Sequence, residues 1–180
     1  MRASLLLLPL TALVLPACGD SGYEASVGQR FELKESDRSG TTIARERDVS
    51  GLLDDQWGAF LERAEAQLGH APEKVELRGI SLQLDAASSQ NVSALEEAFT
   101  GEVVAYLKDP TNGRIVDVAK VKDPKGTGRV ELDMLDADLA QLQQQLLSGH
   151  FKVGLRGTTP KPADADFTLA LSVTLDAAAL

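Results

Sequence analysis

The stretch FTLALSVTL, residues 167–175, decides the fold class because apolar and small side chains alternate along it. Its large apolar side chains recur at every second position, and alanine, serine or threonine fills the positions between them. Phe151, Val153 and Leu155 repeat this spacing before the loop at residues 158–162. Strict alternation is typical of a strand that buries one face and solvates the other. The sequence therefore predicts two long strands of a half-solvated, antiparallel sheet.

Three more alternating runs lie between residues 103 and 134. The segments that separate them are DPTNG at 109–113 and DPKG at 123–126, each with proline near its start and glycine at its end. Such segments are typical of type I turns that close hairpins. We therefore predict a meander of three strands, the last of which runs from Val130 to Met134.

The alternation at residues 75–84 changes phase in the middle. Val75 and Leu77 share one face of a strand, whereas Ile80 and Leu84 share the other, and Gly79 lies at the change. Because glycine relieves a locally distorted backbone, we predict a β-bulge or sharp bend there.

Two segments have the three- and four-residue spacing of amphipathic helices. In the first, Ser50 is the predicted N-cap, Trp57 belongs to the apolar stripe and Gly69 is the C-cap. In the second, Asp136 is the predicted cap and Gly149 ends the helix, with the apolar face formed by Leu135, Leu139, Leu142 and Leu146. The outer face of the second helix is nearly uncharged and carries Gln141, Gln144 and Gln145. We predict that this glutamine face is a possible partner surface.

Weaker alternation at residues 31–34 and 41–49 adds a first strand and an edge-like strand with exposed Arg45 and Arg47. Short connections favour antiparallel pairing, so we predict a mainly β fold. The preferred architecture is a two-sheet antiparallel sandwich with two amphipathic helices, resembling an immunoglobulin-like or transthyretin-like fold. An α+β sheet with both helices on one face is the alternative.

The N-terminal segment has the order of a secretory signal: Arg2, an apolar run over residues 5–15, and a small residue at Ala17. The run is too short for a membrane span, which needs roughly 20 apolar residues. The sequence LPAC at 15–18 resembles the lipobox of bacterial lipoproteins. That resemblance implies cleavage between Ala17 and Cys18 and acylation of Cys18, with no other cysteine in the chain. Residues 1–17 are then a signal peptide, 18–28 a lipidated N-terminus and flexible tether, and 29–180 one β-rich globular domain.

The composition disfavours nucleic-acid binding and metal-dependent functions. The formal net charge is −9, and removing residues 1–17 takes away Arg2 and no acid, so the remaining chain is still more acidic. An acidic surface disfavours nucleic acid as a partner. With Cys18 as the single cysteine and His70 and His150 as the two histidines, the chain lacks a thiolate or histidine-rich metal set. We therefore predict no cofactor, no metal site and no catalytic residues.

These observations predict a non-enzymatic lipoprotein of the cell envelope whose domain binds another protein or an envelope component. The bilayer is a partner through acylated Cys18, and Gly19 after the cysteine resembles lipoproteins sent to the outer membrane rather than the inner. A sheet edge or the glutamine face is the expected binding surface. A carrier of lipid or another apolar ligand, with a cavity between sheet and helix, is the alternative, and an envelope hydrolase is the third interpretation.

Overall fold

The computed structural model describes residues 22–52, 54–88, 92–159 and 168–180, which form mainly β-strands. Three helices join them: α1 (Gln56–Leu68), α2 (Leu95–Ala98) and α3 (Gln143–Ser148). In chain order the strands are β1 (Tyr23–Lys34), β2 (Arg38–Ser39), β3 (Thr42–Val49), β4 (Val75–Leu84), β5 (Thr100–Lys108), β6 (Ile115–Lys122), β7 (Val130–Glu131), β8 (Asp133–Met134), β9 (Phe151–Thr158) and β10 (Thr168–Ala179).

The described strands form two antiparallel sheets that share one hydrophobic core. The first sheet has the order β1-β10-β4-β7, and the second has the order β2-β3-β9-β5-β6-β8. All the strand pairs are antiparallel, as the short connections predict. The prediction of a mainly β, two-sheet antiparallel sandwich is confirmed.

β10 lies at the centre of the first sheet and pairs along its length with β1. Leu169, Leu171, Val173 and Leu175 are fully buried between the sheets, whereas Ser172 and Thr174 on the opposite face are half-buried. This is the half-solvated strand that the alternating sequence predicts; Phe167 and the rest of 160–167 lie outside the described residues.

The predicted irregularity at Gly79 is confirmed. Gly79 pairs with Asp176, but the next pair joins Leu77 to Ala177, so β4 contains Arg78 as one extra residue. The extra residue reverses which side of the strand faces the core and accounts for the change of phase in the sequence.

The predicted single strand from Val130 to Met134 is corrected by the structure. β7 pairs with β4 of the first sheet, whereas β8 pairs with β6 of the second. Leu132 lies between them, donates its N–H to the Ile80 carbonyl at 2.9 Å and is buried, while Met134 is 38% exposed. The chain changes sheet at Leu132 and so closes one side of the sandwich. Alternation alone does not reveal this, because both halves are extended.

The first helix ends where predicted and begins later. Gly69, in the left-handed region at φ 80°, ends α1, but the N-cap is Asp55, whose carboxylate accepts from the Trp57 N–H at 2.9 Å. Ser50 instead accepts from the Leu52 N–H at 3.1 Å. The Trp57 ring donates to the Leu146 carbonyl at 2.8 Å, and this joins α1 to α3.

The second helix is shorter than predicted. A 3₁₀ turn at Ala140–Leu142 leads into α3, and Asp138, not Asp136, accepts the Ala140 N–H at 3.0 Å. The predicted start is wrong because Leu135 donates its N–H to the Val118 carbonyl of β6 at 2.9 Å, which keeps the chain along β6 beyond Met134. Gly149 ends α3 in the left-handed region, as predicted.

The predicted tether at 18–28 overlaps the first strand. β1 begins at Tyr23, which pairs with Ala179, so residues 23–28 belong to the sheet and not to a flexible segment. Backbone pairing with β10 orders them despite their small, polar composition. The predicted signal peptide, Ala17 and Cys18 lie outside the described residues, and within those residues no helix combines the length and apolar character needed to cross a bilayer.

Candidate functional site

The second sheet has a free strand edge on β3. On one side β3 pairs with β9 from Thr42 to Val49, but on the other side β2 pairs only with Thr42 and Ile43. No other described strand pairs with residues 44–49. We call this segment the β3 edge. An unpaired edge presents main-chain donors and acceptors that an extended chain can bind.

The direction of these main-chain groups follows from the flanking hydrogen bonds. Thr159 donates its N–H to the Thr41 carbonyl at 2.8 Å, so the main-chain groups of Thr41 point toward β9. The N–H and carbonyl groups of the other odd-numbered residues in this segment point the same way. Since both main-chain groups of a strand residue point to the same side and alternate along the strand, Ala44, Glu46 and Asp48 direct theirs away from β9. The β3 edge therefore offers three residues for pairing.

A groove of about 220 Å³ lies beside the β3 edge, where β1 of the other sheet approaches. We call it the arginine groove, and its lining residues are Arg30, Phe31, Glu32, Arg45, Glu46 and Arg47. Arg45 and Arg47 occupy β3 positions between buried Ile43 and Val49, on the face that elsewhere points to the core. They stay exposed because the sandwich is open on this side, as the sequence predicts for an edge-like strand.

The three arginines differ in their partners. Arg45 pairs with Asp37 at 2.8 Å, and Arg30 lies 3.5 Å from Asp85. Arg47 donates to the main-chain carbonyl of Arg30 at 3.0 Å, and no described carboxylate lies within 4.0 Å of it. A guanidinium carries five donors, so Arg47 keeps most of its hydrogen-bonding capacity for a further acceptor.

The opposite face of β3 is already neutralised. Glu46 accepts from the Lys108 ammonium at 2.8 and 3.0 Å and lies 3.9 Å from Lys152, which also pairs with Asp48 at 3.2 Å. Tyr106 donates to Glu46 over a longer 3.4 Å. These contacts tie β3 to its neighbour β9 and to β5 beyond it. The unpaired charge of the β3 edge is therefore on the side of the groove.

Tyr106 anchors this outer face of the second sheet. It is only 4% exposed, because its ring lies against Gly154 and the Arg156 guanidinium lies 5.2 Å from the ring centre. Arg156 in turn pairs with Asp117 at 2.6 Å. Burial, followed by the nearby Glu46 charge and its hydrogen bond, raises the pKa of Tyr106 to about 12.

The edge of β1 is occupied by side chains. The Gln56 amide oxygen accepts the Gly28 N–H at 2.8 Å, and the Asp37 carboxylate accepts the Lys34 N–H at 2.9 Å. The Arg30 carbonyl is taken by the Arg47 guanidinium. A side chain that pairs with an edge in this way hinders the addition of another strand. β3 is therefore more open than β1.

The edge of β4 is protected in the same way at Val75. Gln143 accepts from the Val75 N–H at 3.0 Å and donates to the Val75 carbonyl at 2.9 Å, so one side-chain amide imitates a paired strand residue. Sequence reasoning missed Gln143, and the neighbouring glutamines gave no signal that would distinguish it.

The predicted glutamine face is only partly free. Gln141 and Gln144 are exposed, but Gln145 is half-buried and donates to the Asp109 carboxylate at 2.9 Å. Asp109 is buried in the turn that follows β5 and also accepts the Thr111 N–H at 2.8 Å. The Gln145 amide is thus engaged in a structural contact, whereas a partner surface over Gln141, Gln144 and Gln145 stays a prediction.

The histidines and acids are not gathered into a reactive cluster in the part of the chain that the structure describes. His70 is exposed, and its Nδ1 lies 2.9 Å from the Ala71 carbonyl. His150 is exposed at the start of β9. No group of three or more His, Cys, Asp or Glu side chains among the described residues is placed to hold a metal ion.

Comparison with known proteins gives no relative that names a function. No protein-family model matches the chain, and no curated protein matches it. Among solved structures, the chain is similar to a cryo-EM structure of the virus-like particle of extra small virus from the giant freshwater prawn Macrobrachium rosenbergii. The identity is 11% and the TM-score 0.22, over 98% of this chain and 92% of that chain. A similarity this low carries no argument about fold or function.

Proposed function

We propose that this chain is a lipid-anchored protein of the bacterial cell envelope whose β domain binds another protein without catalysing a reaction. Binding occurs by strand addition at the β3 edge. The observation that carries the proposal is the pairing of β3, which has β9 along one side and only two residues of β2 along the other. Main-chain hydrogen bonds from such an edge supply affinity, and side chains next to it supply specificity.

The lipid anchor sets where this domain works. If Cys18 is acylated, four residues separate it from the first strand residue, Tyr23. Five steps along an extended chain reach at most about 18 Å, at roughly 3.6 Å per residue. The domain is therefore held against the lipid headgroups, and its partner is a protein at the same membrane surface. Gly19 after the cysteine favours the outer membrane.

The described interior supports a binding domain over a lipid carrier. Leu33, Leu82, Leu107, Leu155 and Leu169 fill the space between the sheets and are fully buried. One groove that is lined by described residues, of about 630 Å³, lies on the surface beside the start of β4. Close-packed leucines leave no room for an acyl chain without rearrangement.

Replacing Ala44 with proline tests the proposal. Proline removes one N–H from the free side of the β3 edge and leaves the ladder with β9 in place. Ala44→Val is the matched control, because it keeps the N–H and favours a strand. Each variant is used as bait for proteins in a detergent extract of the source envelope.

The proposal expects a stoichiometric partner on the wild type and on Ala44→Val, and its loss on Ala44→Pro. Fluorescence of Trp57, the one tryptophan of the chain, checks that all three baits are folded. Equal recovery on Ala44→Pro, or no stoichiometric partner on the wild type, would overturn strand addition at this edge.

A further inference from the structure

We infer that the partner segment bound at the β3 edge carries acidic side chains at alternate positions. This inference rests on the proposed function and adds the chemistry of the occupant. Strand addition would extend the six-stranded sheet over the arginine groove, so one face of the added strand meets Arg45 and Arg47. In an antiparallel pair, directly opposite side chains lie close enough for opposite charges to stabilise the pair.

A second copy of this chain is a poor occupant. Every antiparallel self-pairing centred on residue 45, 46 or 47 places one arginine opposite another, either Arg45 or Arg47 opposite itself or the two opposite each other. Registers centred on Glu46 or Arg47 also oppose acids, because Glu46 meets itself or Asp48. Like charges directly opposite each other destabilise a strand pair. The edge is therefore protected against copies of itself.

The same charges favour a segment with glutamate or aspartate at every second residue. Arg47 has no described carboxylate partner and keeps free donors toward the groove, so a carboxylate there adds an ion pair without breaking one. On the other face, Glu46 and Asp48 are held by Lys108 and Lys152, so the added strand needs no matching bases there. The complementary chain is acidic on its groove face and neutral on its outer face.

The probes are two short fluorescein-labelled peptides, one alternating glutamate with valine and one alternating lysine with valine. Fluorescence anisotropy measures their affinity for the full domain at low salt. The inference expects the glutamate peptide to bind about tenfold more tightly than the lysine peptide, because the arginines attract a glutamate and repel a lysine placed opposite them. Added salt should reduce this preference, because the arginines are exposed.

Arg47→Glu should abolish the preference for the glutamate peptide. Arg63→Glu makes the same charge change on the exposed side of α1, outside the arginine groove, and should leave the preference unchanged. Ala44→Pro should weaken both peptides, because it removes an edge donor whatever the charge of the ligand.

The outcomes separate this inference from the proposed function. If the two peptides bind equally and Ala44→Pro weakens both, the inferred preference for acidic segments (the charge rule) is overturned, whereas strand addition at the β3 edge is supported. Binding that Ala44→Pro does not weaken would overturn both. Absence of binding by either peptide also contradicts the charge rule, and the envelope extract then decides strand addition independently.

Discussion

Gly154→Ala should cost about 3 kcal/mol of the free energy of unfolding, although it adds a single methyl group. A Cβ built at Gly154 would lie 2.1 Å from Cζ of Tyr106, so the ring must leave its place on the sheet. A tyrosine buries about 150–250 Å². Exposing about 100 Å² of it costs roughly 2.5 kcal/mol at about 25 cal/mol per Å². Loss of the contact with Arg156 adds about 0.5–1 kcal/mol.

A double-mutant cycle with Tyr106→Ala isolates this contact. Without the ring, the added methyl group meets no obstacle, and alanine in a strand is better than glycine by roughly 0.5–1 kcal/mol. Gly154→Ala should then be neutral or slightly stabilising, which gives a coupling energy of about 3–4 kcal/mol. Urea denaturation followed by Trp57 fluorescence measures all four proteins, since Trp57 is fully buried.

Two results would refute this reasoning. One is a cost of Gly154→Ala below about 0.5 kcal/mol in the wild-type background, within the range of an ordinary surface substitution. The other is an equal cost with and without the Tyr106 ring, which would mean that the strand itself, and not the ring, rejects the methyl group.

Three further predictions concern single side chains. Gln143→Ala should lower the free energy of unfolding by about 1–3 kcal/mol in chemical denaturation, because the N–H and carbonyl of Val75 lose their partner. The control Gln144→Ala, on the exposed face, should change it by no more than about 0.5 kcal/mol. Equal effects of the two substitutions would contradict the role of the Gln143 amide. In a Tyr23→Phe protein, absorbance at 295 nm should show Tyr106 ionising near pH 12. Because the folded state holds the phenol proton more tightly than the unfolded state, the contribution of Tyr106 to stability should fall as pH rises from about 10 toward 12. Ionisation near pH 10 in a protein that is still folded would contradict this prediction. Cys18→Ser should move the protein to the aqueous fraction, because the lost acyl chains contribute about 0.8 kcal/mol of membrane binding per buried methylene. If the variant still sediments with membranes and the wild type incorporates no labelled palmitate, the lipid anchor is contradicted.

The features that the sequence predicted well depend on residues close together in the chain. Alternation identified β10 and β9, the change of phase located the bulge at Gly79, and a glycine after the apolar stripe marked the end of α1. Each of these signals arises from local geometry, namely the two-residue period of a strand, the 3.6-residue period of a helix or the left-handed backbone of glycine. The edge-like character of β3 was also readable, since Arg45 and Arg47 interrupt its apolar face.

The features that the sequence missed depend on distant partners. Tyr23 begins a strand because it pairs with Ala179 at the other end of the chain, so residues 23–28 of the predicted tether belong to the sheet. Gln145 was predicted to lie on one outer face with Gln141 and Gln144, yet it contacts Asp109. Gln143, which the sequence did not single out, contacts Val75. A side-chain amide has the same local sequence signal whether it meets water or a buried partner.

By itself, the sequence determined the fold class of the domain, because half-buried strands and amphipathic helices each have a characteristic spacing of apolar residues, whichever elements they pack against. It also predicted the lipid anchor from LPAC at 15–18. Only the tertiary structure decided that the chain changes sheet at Leu132, that side chains occupy the edges of β1 and β4, and that β3 keeps a free edge. Strand order and edge protection come from hydrogen bonds between segments far apart in the chain, and side-chain periodicity carries no record of which segments those are.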